Sequence, residues 1–228
     1  MTLEHRARVH AALGDPERLR IVDDLTLSDR SVNELGDLVH MPGNLLAHHL
    51  EVLESAGLIR RHVSEGDRRR RYVSLQRDMM PMLIAKDSRP VQSVLFVCTH
   101  NSARSQFAAA LWRQRSGGPA RSAGTQPARS VHPLAIKVAA EFGIDLSRAK
   151  PKGYDSIGPA PDLVVSVCDR AREAGFPPAG SHLHWSVPDP LAKSTLSAFR
   201  AAFTEITERV EVLATTSPRP LPRRSVST

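Results

Sequence analysis

The sequence predicts two domains of different class: an N-terminal winged helix-turn-helix over residues 1–85 and a C-terminal α/β domain built on an open parallel sheet over residues 93–215. Three observations carry this. A chain of 228 residues is long for one domain and short for three. Helical periodicity dominates the first part, whereas apolar strand runs alternate with helical runs in the second. Between them KDSRPVQ supplies turn and breaker residues, so residues 86–92 read as a linker.

In the first part, Asp15 and Pro16 open a helix as N-cap and first-turn residue, and Leu19, Val22, Leu25 and Leu27 are spaced as its buried face. Ser31 with Glu34 three residues later forms a capping box for a short helix whose inner face is Val32, Leu35 and Leu38. Pro42 opens the next helix, which runs to Ala56 with Leu46, Leu50 and Leu53 inward until Gly57 ends it. Residues 58–63 and 71–75 read as two strands joined by SEGDRRR, a turn around Gly66 and Asp67. Three helices, the last two in helix-turn-helix order, and a hairpin with an arginine-rich tip describe a winged helix.

In the second part, Val94 to Val97 is a continuously apolar run of the kind found in buried parallel strands, and it delivers Cys98 at its carboxyl end. Five residues follow, Thr99, His100, Asn101, Ser102 and Ala103, and then Arg104 and Ser105 open a helical run to about Arg115. A loop of that length wraps its amides round a tetrahedral oxyanion, with the helix N-terminus adding positive potential and Arg104 supplying a forked donor. The same amides, with a hydroxyl such as Ser105, stabilise a thiolate and make Cys98 the candidate nucleophile. Asn101 reads as a left-handed support residue within the loop. The run PDLVVSVC delivers Cys168, and a strand over His182–Trp185 leads into Pro188, Asp189 and Pro190. Strand carboxyl ends share one edge of a parallel sheet, so Cys98, Cys168 and Asp189 are expected at one crevice. Asp189, stiffened by its prolines, suits a general acid. No Gly is followed by Lys-Ser or Lys-Thr at Walker-loop spacing, so nucleotide hydrolysis is not supported.

Hydrophobic residues at 41% and charged residues at 24% set aside collagen-like, wholly disordered and membrane classes. Aromatic residues at 4% are too few for base-stacking platforms. The net charge of +7 is uneven: residues 1–90 hold 14 Lys and Arg against 14 Asp and Glu, and residues 91–228 hold 17 against 10. Contact with DNA must therefore rest on local clusters, Arg68, Arg69, Arg70 and Arg71 above all. The charged start MTLEHRARVH lacks the apolar stretch of a signal peptide and no run is long enough to span a bilayer, so a cytoplasmic protein without a membrane partner is expected. Two cysteines cannot build a disulfide scaffold or a four-thiolate zinc site, and each is read as a possible reactive thiol.

The stretch LLAHHLEVLESAGLIRRHVSEGDRRRRYVSL, with ALGDPERLRIVDDL before it, resembles the ArsR family of dimeric bacterial repressors over about residues 5–80. The resemblance implies a homodimer on double-stranded DNA, with the helix from Pro42 to Ala56 in the major groove and the hairpin on the backbone. Asn44, His48 and His49 are the polar residues left to read bases, since Gly43, Leu45 and Ala47 stand where many members are polar. The family's thiolate metal sensor needs cysteines that this domain lacks. His48 and His49, about 100° apart on a helix, cannot readily share one ion, so no metal is expected.

The loop VCTHNSARSQ, with SAGTQPARSVHPLA, EFGIDLS and HWSVPDP, resembles the low-molecular-weight protein tyrosine phosphatases and, more closely, the related arsenate reductases, over about residues 93–212. This implies a four-stranded parallel sheet flanked by helices, an arsenate or phosphate oxyanion as ligand and no bound cofactor. Arsenate reduction would draw on an external thiol, either a small cellular thiol or a thioredoxin-like protein. Cys168 stands at the second-thiol position of the thioredoxin-coupled reductases, but Gly175 stands at the third, which leaves a Cys98 to Cys168 disulfide or a small thiol as the resolving route. Three readings stay open: a regulator fused to an arsenate reductase, a tyrosine phosphatase, and a regulator whose second domain binds an oxyanion without catalysis. Residues 216–228, rich in Pro and Arg, are expected to be a disordered tail.

Overall fold

The computed structural model describes residues 2–76 and 91–216; most of the expected linker and nearly all of the expected tail lie outside the described residues. The described residues form two hydrophobic cores. One gathers Ile21, Val22, Leu25, Leu35, Leu46, Leu50, Leu53 and Val73, and the other Val94–Val97, Phe107, Trp112, Val164, Val165, Phe199 and Phe203.

The first core belongs to the winged helix. Helix α1 (Leu3–Leu13) was not foreseen, because its apolar residues are sparse: it buries Val9 and Ala12 and leaves Leu3 76% exposed. Helix α2 (Pro16–Leu25) is capped as expected, with Asp15 Oδ1 accepting from the amides of Glu17 and Arg18 at 3.0 Å. Its inner face differs from the expectation. Ile21 joins Val22 and Leu25, Leu19 faces solvent, and Leu27, beyond the helix end, packs against the second core.

Strand β1 (Arg30–Ser31) precedes helix α3 (Val32–Val39), whose Ser31 and Glu34 form the reciprocal capping box. Helix α4 (Gly43–Ser55) follows and ends in the wing, β2 (Ile59–Val63) and β3 (Arg71–Leu75). The wing is not a bare two-stranded hairpin: β1 pairs antiparallel with β3, giving the order β1-β3-β2. A two-residue strand leaves no periodic trace in sequence, so only the register of Arg30 against Val73 reveals it.

The second core lies about a four-stranded parallel sheet of β4 (Val94–Cys98), β5 (Ala120–Gly124), β6 (Leu163–Ser166) and β7 (Ser181–His184), in the order β5-β4-β6-β7. Both central strands, β4 and β6, are buried along their whole length, which is why each reads as an unbroken apolar run. Helices α5 (Arg104–Ser116), α6 (Pro133–Glu141), α7 (Asp169–Glu173), α8 (Pro190–Lys193) and α9 (Leu196–Thr216) flank the sheet. Helix α9 lies along α5 and α6, with the rings of Phe107 and Phe203 meeting edge to face at 5.1 Å.

A buried polar network joins the two halves. Asp29, between α2 and β1, takes both arms of Arg209 from α9 at 3.2 and 3.0 Å, and Arg209 also reaches Glu205 at 3.3 Å. The Asp29 amide donates to His184 O at 2.7 Å, and Asp29 Oδ2 accepts from the Ser186 amide at 2.7 Å. Burial alone would raise the Asp29 carboxyl, but Arg209, His184 and the Ser186 amide hold it below its ordinary value of 3.8. The indole of Trp185 donates to Leu27 O at 3.0 Å, and His62 Nε2 lies 2.7 Å from Ser186 Oγ. These contacts bring the base of the wing against the carboxyl edge of the parallel sheet.

Candidate active site

The segment after β4 forms a loop from Cys98 to Arg104, and its shape is imposed from outside. The carbonyls of Cys98, Thr99, His100 and Ser102 accept from the amides of Thr125, Gln126, Ala128 and His132 at 2.8–3.1 Å, which accounts physically for the run SAGTQPARSVHPLA. With its carbonyls held outward, the loop has its amides free to turn inward, and the Asn101 amide points at Cys98 Sγ at 3.2 Å. Gly124 is required at this junction: a Cβ there would come within 2.6 Å of Thr99 O and 2.9 Å of the Asn101 amide.

Asn101 takes the left-handed conformation at φ 49°, and its side chain ties the loop together. Its Nδ2 donates to Ser105 Oγ at 2.8 Å, and its Oδ1 accepts from Lys152 N at 2.9 Å and Gln106 Nε2 at 3.1 Å. Ser105 Oγ stands 3.0 Å from Cys98 Sγ, so hydroxyl and amide both serve the sulfur. Helix α5 begins here with no side-chain cap at Ala103, leaving its first amides available to an anion. Gln106, the last residue of the run NSARSQ, is buried at the α5 start and supports the loop by donating to Asn101 O at 3.1 Å, a role with no signal in spacing or periodicity.

Arg104 is 5% exposed. Its Nη1 donates to Val187 O at 2.8 Å, and its Nη2 lies 3.2 Å from Asp189 Oδ1. Burial alone would lower its pKa, but Cys168, Asp189, Cys98 and Glu65 around it raise it overall, so it remains a cation. Asp189 is the N-cap of α8, accepting from Leu191 N at 3.2 Å, which fixes the carboxylate beside the guanidinium. Cys98 and Asp189 thus meet at one edge through Arg104.

Cys168 sits differently from a simple strand-end thiol. It caps the short helix α7, accepting from Ala171 N at 3.4 Å, and stands 3.5 Å from Thr99 Oγ1. It is 1% exposed, and burial pushes its pKa up despite the pull of Arg104. Beside the loop lies a cleft of about 800 Å³ lined by Thr99, His100, Gln126, Tyr154 and Arg170. Tyr154, absent from the sequence reading, presents a buried hydroxyl without a hydrogen-bond partner there, and burial raises its pKa.

The residues proposed for DNA separate in the structure. Asn44 and His48 lie on the exposed face of α4, but His49 is a correction: its ring is buried and turned to Asp15, 3.7 Å away, because position 49 shares the inward face with Leu46, Leu50 and Leu53. Arg68 to Arg71 are exposed at the wing tip, where Asp67 pairs with Arg69 at 3.1 Å and approaches Arg70 at 3.8 Å. The wing does not project freely. Ser64 Oγ donates to Glu173 Oε1 at 2.5 Å, and the Glu65 amide donates to Asp169 Oδ2 at 2.9 Å. Asp169 in turn contacts His184 and accepts from Ser186 Oγ at 2.5 Å, and although its burial opposes the charge, these partners hold its carboxyl below the ordinary 3.8.

Residues 93–221 match the family described as low molecular weight phosphotyrosine protein phosphatase, more than half of the chain. The chain belongs to that family. Residues 13–62 match a helix-turn-helix domain, so a helix-turn-helix unit is joined to a phosphatase-family domain. Within the phosphatase family, the similar relatives include an arsenate reductase of Bacillus cereus, 36% identical over 125 residues that span 53% of this chain and 92% of that protein. An arsenate reductase of Bacillus anthracis is 35% identical over the same shares. A solved arsenate reductase in its phosphate-binding state is 29% identical, covering 55% of this chain and 98% of that one, with a TM-score of 0.50. Among the described residues no helix is long and apolar enough to cross a membrane, and no group of three or more His, Cys, Asp and Glu is placed to hold a metal.

Proposed function

We propose that this chain is a DNA-binding regulator of the ArsR type fused to a thiol-dependent arsenate reductase, acting in the cytoplasm. The observation that carries the catalytic half is the Cys98 loop: sulfur served by the Asn101 amide and Ser105, an uncapped helix start, and a buried Arg104 beside Asp189. Thr99, His100, Asn101, Ser102, Ala103 and Ser105 form the oxyanion loop. The relatives' activity gives the direction of the chemistry.

In this reading Cys98 thiolate attacks arsenic(V), forming a sulfur–arsenic bond, while Asp189 gives a proton to the departing oxygen, which leaves as water. Arg104 and the inward amides hold the remaining oxygens. A second thiolate then attacks Cys98 sulfur. The sulfur–arsenic pair of electrons leaves with arsenic, which departs as arsenite, and the two sulfurs form a disulfide. The second thiol is Cys168 or an external small thiol, and an external thiol returns the disulfide to the reduced state.

Phosphotyrosine hydrolysis is the second reading, favoured by the burial of Cys168 as a helix cap, since hydrolysis needs one thiol only. On the DNA side, α4 with Asn44 and His48 would lie in the major groove and Arg68 to Arg71 on phosphates, within a homodimer. Steady-state turnover of arsenate with candidate thiol donors, beside turnover of a phosphotyrosine mimic, tests the assignment. Repeated turnover to arsenite that requires added thiol supports reduction, and phosphate release alone overturns it in favour of the phosphatase.

A further inference from the structure

One carboxylate of the wing reaches Arg104 and Asp189. Glu65 Oε1 accepts from the Asp189 amide at 2.9 Å, and its Oε2 lies 3.6 Å from Arg104 Nη1. The contact is held by the rest of the wing tip: Ser64 on Glu173, the Glu65 amide on Asp169, and Gly66 packed so close to Glu173 that a Cβ would meet Glu173 Oε2 at 1.9 Å. Beside it a cleft of about 380 Å³ is lined by Arg68, Arg170, Glu65 and Asp189, two cations and two carboxylates.

This arrangement has more negative charge around Arg104 than the chemistry requires. Asp189 and Glu65 both face one guanidinium, and an entering oxyanion dianion would add to them against Cys98. Asp189 is fixed as the cap of α8 and is the nearer partner. Glu65 is the looser one: its side chain is 38% exposed, it sits beyond hydrogen-bond distance of Arg104, and it comes from the other domain. We infer that Glu65 is a built-in occupant of the oxyanion site, which an entering tetrahedral oxyanion displaces, so that filling the Cys98 loop and releasing the wing tip are one equilibrium.

The inference rests on the reading of the Cys98 loop as an oxyanion site and adds its regulation. The wing tip carries Arg68 to Arg71, so occupancy of the loop is transmitted to the element that would meet DNA phosphates. By linkage, whatever holds the wing tip docked weakens oxyanion binding by the same factor by which the oxyanion weakens docking.

Inorganic phosphate, which the chain does not reduce, is the probe. Calorimetric titration of the full chain is compared with Glu65→Gln, which keeps size and removes charge, with Glu65→Asp, which keeps charge on a shorter arm, and with Arg104→Ala. Glu65→Gln is expected to bind phosphate about fivefold or more tightly than the parent, with Glu65→Asp between them. Hydrogen exchange at the amides of residues 64–67 is expected to quicken on phosphate saturation in the parent and to respond less in Glu65→Gln. Equal affinity in parent and Glu65→Gln with wing exchange unmoved, while Arg104→Ala abolishes binding, overturns the competition and leaves the oxyanion site standing. Absence of phosphate binding in parent and Glu65→Gln alike overturns both.

Discussion

Arg104 and Arg209 are buried alike, at 5% and 6% exposure, yet the protein treats their charges in opposite ways. Arg209 is tied at its fork: both terminal nitrogens donate to Asp29 and one also to Glu205, while its buried Nε has no partner. Arg104 donates one hydrogen bond, to a backbone carbonyl, and keeps its two carboxylates at 3.2 and 3.6 Å. A buried cation whose fork is bound to a buried carboxylate is a fastener, because any rearrangement would strand a charge in low dielectric. A buried cation with donors to spare is a binding group, held charged by its neighbours and ready for a ligand that fits its fork. The wing touches both: its base is fastened through the Asp29 network, and its tip rests on Arg104 by way of Glu65.

That contrast breaks if the two arginines fail in the same way. Cys98→Ser and Arg104→Ala are each expected to abolish turnover while leaving the unfolding midpoint near that of the parent. Retention of more than about a tenth of the parent rate by Cys98→Ser would sink the nucleophile assignment, since a hydroxyl has no base beside it here. Arg209→Ala should do the reverse, costing about 3–5 kcal/mol in urea unfolding because Asp29 is left buried without its cation. A loss below about 1 kcal/mol would mean that the interface relaxes and that Arg209 is no fastener.

Cys168 sharpens the comparison on the catalytic side. Cys168→Ser is expected to slow arsenate reduction about tenfold and spare hydrolysis of a phosphotyrosine mimic. Because burial raises the Cys168 thiol, its thiolate fraction grows with pH, so single-turnover arsenite release without added thiol should quicken as pH rises above neutral. A flat profile, or equal survival of both activities in Cys168→Ser, would reduce Cys168 to a helix cap.

Acid tests the fastener. Asp29 and Asp169 are held below 3.8, so their stabilisation is complete above that value and is lost as pH falls through their lower folded values. Unfolding midpoints followed downward from about pH 5 should fall more steeply in the parent than in Asp29→Asn. On the free face of the wing, replacing Arg68 to Arg71 by alanine should weaken binding to every DNA sequence and flatten the salt slope by about one unit per lost phosphate contact. The smallest effect is expected from His48→Ala, which should relax sequence preference, whereas His49→Ala should alter stability, since its ring faces Asp15. Anisotropy titrations across a salt series read both.

Much of this was legible in the chain alone. The Cys98 loop announced itself because oxyanion chemistry fixes both residue types and spacing within eight consecutive positions, Cys98 to Ser105. The capping box at Ser31 and the cap at Asp15 were equally local and formed as read. Where the reading failed, the deciding contact was remote. Leu27 scans as the end of a helical face but packs across the domain boundary, and His49 scans as a polar reader but falls on the inward turn of α4.

The sequence by itself determined the two domain classes, the parallel strands that lead to Cys98 and Cys168, and the loop from Cys98 to Arg104, because each is set by periodicity or spacing among near neighbours. Only the tertiary structure decided which buried arginine is tied to a buried carboxylate and which donates to a backbone carbonyl, and that a wing carboxylate comes within 3.6 Å of Arg104. Glu65 is separated from Arg104 and Asp189 by an entire domain boundary, and a charge contact made through folding leaves no period or spacing in the chain that makes it.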